Sequence, residues 1–261
     1  MSRDDNWVET MQLEGRRAVL EALKHEKPID RLLLRKETDG ALTGTLKMIA
    51  AKAREQGIVV TTVERAKLDA LAQSANHQGV IALCPAKEYV DVSDILAAAT
   101  TKGEAPFIIV LDGITDPHNF GAILRTAEAG GAHGVIISKR RAVGLTGAVA
   151  KTSAGAIEHI PVARVTNISR TIEELKAAGL WIACGCQPSD EPLNGTSLHK
   201  TDLSGPIALV IGAEGEGVHR VVREKADYAV YIPMLGHIAS LNASVAAGIM
   251  IYEVVRSRLP R

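Results

Sequence analysis

Residues 107–121, FIIVLDGITDPHNFG, decide the fold of the larger part of this chain. The run from Phe107 to Leu111 is apolar at every position, so a strand here has no polar face and is expected to be buried on both sides. A polar loop follows and leads into a predicted helix from Phe120 to Gly130. This order indicates a parallel sheet that is covered by helices.

The same order of an apolar run, a polar loop and a helix recurs through the second half of the chain. It predicts an α/β domain over 106–261 with a mostly parallel sheet, in front of which 14–85 form a smaller α/β module. Residues 1–13 are interpreted as a polar tail, and 86–105 as a linker with a short helix, Val92 to Ala99. The further predicted strands of the large domain are 135–138, 181–184, 207–211 and 228–232, and its further helices are 168–178, 219–225 and 240–259.

Composition excludes several classes of protein. With 261 residues, of which 46% are hydrophobic and 23% charged, the chain has the composition of a globular protein of about two domains. Lys plus Arg equals Asp plus Glu at 30 each, so a polyanion must meet a local basic patch. No apolar run approaches the ~18 residues of a membrane helix. The three cysteines have neither disulfide nor metal-ligand spacing, so we expect a cytoplasmic protein without a metal site.

Ligands of parallel α/β sheets bind beyond the carboxyl ends of the strands, so three strand-end loops are candidate sites. The first loop runs from Asp112 to Gly121. Asn119 there either caps the following helix or serves a ligand. Arg125 shares a helical face with Gly121, whose missing side chain leaves room beside the guanidinium. Arg125 either pairs with Glu128 or binds a phosphate.

The second loop, Gly212 to Gly217, directly follows a buried strand, and its glycines allow a ligand to approach the backbone. Glu214 and Glu216 would repel a pyrophosphate, which argues against NAD or ATP. An ordinary Gly-rich turn is the alternative reading of this loop.

The third loop runs from Ile232 to Ser244 and leads into the last helix. Ser240, Leu241 and Asn242 stand at its start and are free to serve a ligand. The helix carries a heptad-like apolar seam, which is typical of a core helix or a dimer helix. The seam residues are Leu241, Val245, Gly248, Tyr252, Val255 and Leu259.

Together, the three loops resemble the signature motifs of the SpoU family of RNA ribose 2′-O-methyltransferases, within the SPOUT superfamily. Asn119 and Gly121 with Arg125 look like motif 1, Gly212–Gly217 looks like motif 2, and Ser240–Ser244 looks like motif 3. The front module is similar to the ribosomal protein L30e-like substrate-binding domain of the family, through Glu14–Val19 and His77–Val80. The resemblance spans nearly the whole chain and is closest to the RlmB type. Ala243 stands where the family often has Val.

The resemblance implies a C-terminal SPOUT α/β domain with a deep trefoil knot, a homodimer, and S-adenosylmethionine as methyl donor. It implies methyl transfer to a ribose 2′-hydroxyl of large-subunit ribosomal RNA, at a guanosine, without a metal. The implied catalytic residues are Arg125, Asn119, Glu214, Asn242 and Ser240. The implied cofactor-binding residues are Gly212, Gly215, Ile232, Met234 and Leu241.

RNA rather than DNA or a membrane is then the expected partner, and two basic segments are candidates for its contacts. Arg16 and Arg17 begin a stretch to Lys36 with seven Lys or Arg and three Asp or Glu, and Arg140 and Arg141 follow a predicted strand. Each segment could equally be a solvated face. With 3% aromatic residues, we expect phosphate contacts rather than extensive base stacking.

Three alternatives remain at this point. The substrate could be tRNA instead of ribosomal RNA, or the chain could be a catalytically silent RNA-binding protein of ribosome assembly. A nucleotide-binding dehydrogenase or a Rossmann-like methyltransferase is disfavoured, because the loop from Asp112 to Asn119 lacks the Gly-rich turn of those folds.

Overall fold

The structure is a computed structural model that describes residues 12–36, 42, 44–72, 74, 76–187, 195–237 and 240–259. The chain divides into two compact units. The first runs to Glu88 and includes Gly144–Gly147, and the second comprises Tyr89–Val143 and the chain from Ala148 onward. Of the predicted polar tail, residues 1–11 lie outside the described residues, and residues 12 and 13 are part of a strand.

The first unit is built on a four-stranded sheet with the order β1-β4-β2-β3. Strand β4 pairs antiparallel with β1 and β2, whereas β2 and β3 are parallel. The apolar stripe of α1 buries Val19, Ala22 and Leu23 against this sheet. The elements are β1 (Gln12–Glu14), α1 (Arg16–Lys24), β2 (Arg31–Arg35), α2 (Gly44–Glu55), β3 (Val59–Val63), α3 (Arg65–Leu71) and β4 (Val80–Leu83).

The second unit confirms the predicted parallel sheet. Its seven strands have the order β7-β6-β5-β10-β8-β11-β9, and every neighbouring pair is parallel. All six residues of β5 are buried, and the first five, Phe107–Leu111, form the apolar run that predicts a strand without a polar face. The elements are α4 (Val92–Lys102), β5 (Phe107–Asp112), α5 (Pro117–Ala129), β6 (Gly134–Ser138), α6 (Gly147–Thr152), β7 (Val162–Val165), α7 (Ile168–Ala177), β8 (Trp181–Gly185), β9 (Thr196–Ser197), β10 (Ile207–Gly212), α8 (Arg220–Arg223), β11 (Tyr228–Tyr231) and α9 (Ala243–Arg258).

The stretch interpreted as a linker differs from its prediction. Helix α4 is one turn longer than predicted, and its Ile95 is fully buried in the core of the second unit. Gly134 provides the space, because a Cβ atom there would lie 2.6 Å from Ile95 Cδ1. Most of residues 86–105 therefore pack as part of the second unit.

Helix α9 buries the face opposite to the predicted seam. Ala247, Met250, Ile251 and Val254 are buried, so the small and apolar residues between the seam positions contact the core. Along the seam itself Val245, Tyr252 and Leu259 are 50%, 52% and 61% exposed in the single chain. Within the part of the chain that the structure describes, no helix is long and apolar enough to span a bilayer.

Candidate functional site

The N-terminus of α5 leaves Asn119 free for another partner. Asp116, not Asn119, caps this helix, because its side chain accepts a hydrogen bond of 2.9 Å from the His118 amide. Pro117 fills the first helical position, where no amide donor is needed. The capping role considered for Asn119 is therefore wrong, and its buried side chain is available to contact a neighbouring loop.

The glycine-rich loop after β10 is closed on itself. The Ala213 and Gly217 backbones exchange two hydrogen bonds, of 3.1 and 2.9 Å. Gly212 permits this closure, because a Cβ atom at that position would lie 2.1 Å from the Gly217 carbonyl carbon. Gly215 at the tip has a φ of +79°, a region that favours glycine. The closed loop holds Glu214 against the neighbouring segments.

The three predicted loops meet at the carboxylate of Glu214. Its Oε1 accepts hydrogen bonds from Asn119 Nδ2 at 3.0 Å and from the Ala243 amide at 3.2 Å. The side-chain amide of Asn242 also donates to this oxygen, and to Asn119 Oδ1 at 2.9 Å. Asn242 in turn caps α9 by accepting from the Ser244 and Val245 amides. Glu214 therefore positions the two asparagines and the start of α9, and among the described contacts it does not bind Arg125.

A cavity of about 400 Å³ lies beside this cluster, at the carboxyl ends of β8, β10 and β11. All five predicted cofactor-binding residues line it, and so do Glu214 and Ser240. Their presence on one cavity follows from the parallel sheet, which brings its strand ends to one edge. The five residues are Gly212, Gly215, Ile232, Met234 and Leu241.

Sequence reasoning missed two parts of this region. Gly185, Cys186 and Gln187 follow β8 and line the cavity, and the position of their strand between β10 and β11 is the signal that marks them. Asp112 at the end of β5 was not assigned a role. Its Oδ2 accepts from the His219 amide at 2.8 Å and lies 2.9 Å from His219 Nδ1, which ties the end of the glycine-rich loop to β5.

Arg125 is exposed on α5. Its side chain makes no hydrogen bond or ion pair with any described residue, so the pair considered with Glu128 is not formed. The space left by the missing side chain of Gly121 is not filled by the guanidinium group of Arg125. A Cβ atom at Gly121 would lie 1.9 Å from Thr152 Oγ1 and 2.9 Å from the Ser153 amide, so this glycine allows α6 to pack on α5.

The residues predicted to contact RNA differ in their surroundings. Arg140 and Arg141 are exposed in the turn after β6, and Arg17 is exposed on α1. Arg16 is partly buried, and its Nε donates to the Gln78 carbonyl at 3.1 Å.

Comparison with known proteins identifies matches to both units. Residues 106–252 match the SpoU rRNA Methylase family, and residues 12–90 match the RNA 2′-O ribose methyltransferase substrate binding family. The chain is 48% identical over 246 residues to YacO of Bacillus subtilis, described as a TrmH family tRNA/rRNA methyltransferase. This alignment covers 94% of the chain and 95% of YacO.

Two solved structures are also similar. The AdoMet-bound rRNA methyltransferase from Sinorhizobium meliloti is 26% identical with a TM-score of 0.59, over 95% of this chain and 88% of that one. The TrmH/SpoU tRNA modifying enzyme of A. aeolicus is 30% identical with a TM-score of 0.53, over 59% of this chain and 76% of that one.

The parallel sheet, the three loops at its carboxyl edge and these matches define an RNA methyltransferase with a SPOUT fold. The chain belongs to the SpoU (TrmH) family, so the resemblance stated from the three loops is confirmed.

Proposed function

We propose that this chain transfers a methyl group from S-adenosylmethionine to the 2′-hydroxyl of a ribose in large-subunit ribosomal RNA, at a guanosine, as the RlmB type does. The convergence of three separate loops on Glu214, beside the cavity at the strand ends, is the observation that carries the proposal. It supports the proposal because polar groups that are held beside a pocket can orient a substrate there.

The cavity fits S-adenosylmethionine, the methyl donor of this family. Pockets of roughly 300–1,000 Å³ accommodate ligands of this size, and this cavity of about 400 Å³ falls in that range. Its walls combine apolar side chains of Ile232, Leu241 and Met250 with the backbone of the glycine-rich loop. That lining suits an adenine ring and a sulfonium, whereas Glu214 and Glu216 disfavour a pyrophosphate. When bound, the cofactor supplies an electrophilic methyl group.

The residues of the chain hold and orient the ribose. Glu214 fixes both asparagines, and Asn119 keeps one N–H that can bind a ribose oxygen. Asn242 donates both of its N–H groups, to Glu214 Oε1 and to Asn119 Oδ1, so it orients Asn119 and the start of α9, and Ser240 supports the same pocket. Arg125 remains free to grip the phosphate beside the target ribose and to stabilise the alkoxide that develops on the 2′-oxygen. Because arginine is always protonated, it does not accept the hydroxyl proton, which passes to the phosphate or to water.

Ribosomal RNA is favoured over tRNA by the first unit. The rRNA methyltransferase of S. meliloti is similar along 95% of this chain, whereas the tRNA modifying enzyme of A. aeolicus is similar along 59%. A substrate-binding unit shared with an rRNA enzyme supports an rRNA substrate. Methyl transfer to a ribose of tRNA is the second candidate function.

We also propose that the active form is a homodimer. Val245, Tyr252 and Leu259 are half or more exposed along one stripe of α9, which is too apolar to be a typical solvent face. A second copy of α9 or of its surroundings would bury this stripe, as the heptad-like spacing suggests.

Mass-spectrometric mapping of 2′-O-methyl nucleotides in cells with and without the gene tests the substrate. We expect one ribose methyl at a guanosine of large-subunit RNA to disappear in the deletion strain and to return with the intact gene. Loss of a methyl group from tRNA alone would establish the tRNA candidate instead. An unchanged methylation map in both RNAs would contradict the proposed activity and favour a silent RNA-binding protein.

A further inference from the structure

A second cavity, of about 390 Å³, lies within the first unit and is strongly basic. Among the described residues, three arginines that are far apart in the sequence and one carboxylate line it. The lining includes Arg16, Arg35, Arg65, Asp69, His77 and Gln78.

The cavity joins the two segments of the first unit that resemble family motifs, the start of α1 and the turn before β4. The turn is held in an uncommon backbone conformation, because Gln78 and Gly79 have φ values of +51° and +81°. Arg16 secures it twice. Its Nε donates to the Gln78 carbonyl, and its amide donates to Gln78 Oε1, both at 3.1 Å. Non-glycine residues keep such a conformation only where their surroundings over-determine it, and this occurs often at ligand sites.

His77 holds the other side of the turn and is 8% exposed. Its Nδ1 accepts from the Gly79 amide at 3.1 Å, so Nε2 carries the proton and donates to Asp69 Oδ1 at 2.8 Å. The Arg65 Nε lies 3.5 Å from the other oxygen of Asp69. The His77 hydrogen bond and the nearby Arg65 hold the pKa of Asp69 below its usual value. The only carboxylate in the lining is therefore already engaged within the described residues.

The charges in the lining leave a surplus of donors. Three guanidinium groups face one carboxylate, and the Arg35 side chain has no hydrogen bond or ion pair among the described residues. The Arg35 Cβ packs 3.3 Å from where a Cβ of Gly79 would stand, so this arginine leaves the sheet beside the turn. Planar guanidinium groups match the oxygens of phosphate in pairs. In the part of the chain that the structure describes, the residues that line the cavity offer hydrogen-bond donors rather than aromatic stacking surfaces.

We propose that this cavity is a phosphodiester-binding subsite through which the first unit holds its RNA. Arg35 and Arg65 are the new assignments, and Arg16 serves both to fix the turn and to bind phosphate. The proposal rests on the proposed function, since it takes the polyanion to be the RNA substrate. A free phosphate would meet the same donors, so the experiment must distinguish the two sources.

The test compares Arg35→Gln with Arg54→Gln in the full chain. Arg54 is exposed on α2 and does not line the cavity, so its variant removes the same charge from the same unit. Binding of an in vitro transcript of large-subunit ribosomal RNA is measured across a salt series, with Arg65→Gln as a second variant. We expect each cavity variant to weaken binding about tenfold and to reduce the slope of log K against log salt by about one, because one phosphate contact is lost.

Arginine modification by phenylglyoxal, read by mass spectrometry, locates the contact in the wild-type chain. The transcript should protect Arg35 and Arg65, whereas millimolar inorganic phosphate should not. Equal protection by inorganic phosphate would overturn the RNA assignment. Arg35→Gln and Arg65→Gln that match Arg54→Gln in affinity and slope would overturn the subsite.

Two results separate this proposal from the proposed function. A wild-type chain that methylates RNA, together with an Arg35→Gln variant that shows no change of slope, refutes the subsite alone. A wild-type chain that takes up the methyl donor but binds no RNA refutes both.

Discussion

At the scale of single residues, Glu214 determines how the site is assembled. One carboxylate oxygen accepts hydrogen bonds from two asparagine side chains and from the first amide of α9. Hydrogen bonds to an ionised acceptor are about twice as strong as neutral ones. The exposed loop that carries Glu214 is thereby tied to two other segments.

Glu214→Gln keeps the size of this side chain and removes its charge. We expect the affinity for S-adenosylmethionine to fall about three- to tenfold, because the charge-assisted bonds that order the cavity wall become neutral ones. Isothermal titration measures the effect. Glu216→Gln is the matched control, since Glu216 lines the same cavity and makes no hydrogen bond within the described contacts. An equal loss in both variants would show that net charge, not positioning, is responsible.

Arg125→Lys tests whether the guanidinium group of Arg125 binds the phosphate beside the target ribose through paired donors. The ammonium retains the charge and loses the paired donors, so we expect kcat at saturating RNA and cofactor to fall about 100-fold, with cofactor affinity unchanged. Arg170→Lys, the same change on an exposed arginine of α7, should keep full turnover. Near-normal turnover of Arg125→Lys would contradict the proposed paired contact of Arg125 with the phosphate.

Residue types, but not their contacts, could be predicted from the sequence. The three motifs contained Asn119, Glu214 and Asn242, and the structure joins all three. The sequence could not show that Asp116 takes the capping role, because both Asp116 and Asn119 are good caps. It also could not show that α6 fills the space at Gly121, because that contact depends on residues 31 and 32 positions away.

At the scale of elements, the junction of β10 with the glycine-rich loop has no room for a side chain. Gly212→Ala would place a methyl group within 2.1–2.4 Å of backbone atoms of Gly217 and Val218. Such overpacking costs about 1–3 kcal/mol or more. We therefore expect Tm to fall by about 2–10 °C in thermal unfolding of the second unit.

Gly205→Ala serves as the control for this change. A Cβ atom at Gly205 meets nothing within 4 Å, so its Tm should stay at the wild-type value. Equal Tm values for Gly212→Ala and the wild type would contradict the close approach at this junction.

Helix α9 shows that an apolar stripe in the sequence need not be the face of the helix that packs on the core. Both of its faces are apolar, and periodicity alone does not say which face meets the core of its own chain. The small residues Ala243 and Ala247 lie on the buried face, whereas the larger seam residues are partly exposed, up to 61% at Leu259. The sequence had left a core helix and a dimer helix open, and the exposed seam favours the second.

Tyr252→Glu tests this assignment. A carboxylate on the exposed stripe would be buried at a dimer interface, so we expect the wild type to be a dimer and the variant a monomer by sedimentation equilibrium. Met48→Glu, a similar change on an exposed residue of α2, should leave the dimer intact. A monomeric wild type, or a dimeric Tyr252→Glu, would contradict the proposed interface.

At the scale of the whole molecule, the parallel sheet was predictable because five of its strands are continuous apolar runs. Strands β7 and β9 were not predicted. The first is four residues long and includes Arg164, and the second has only two residues, so neither carries a usable pattern. The grouping of Gly144–Gly147 with the first unit also has no local signal, because it depends on contacts between distant parts of the chain.

The central claim is that the cavity at the carboxyl ends of β8, β10 and β11 takes up S-adenosylmethionine. Calorimetric titration of the folded full-length chain with this compound tests the claim most directly. Saturable binding, with one molecule taken up per chain, is the predicted result. A folded chain that gives no binding heat and retains no labelled S-adenosylmethionine in equilibrium dialysis would contradict it.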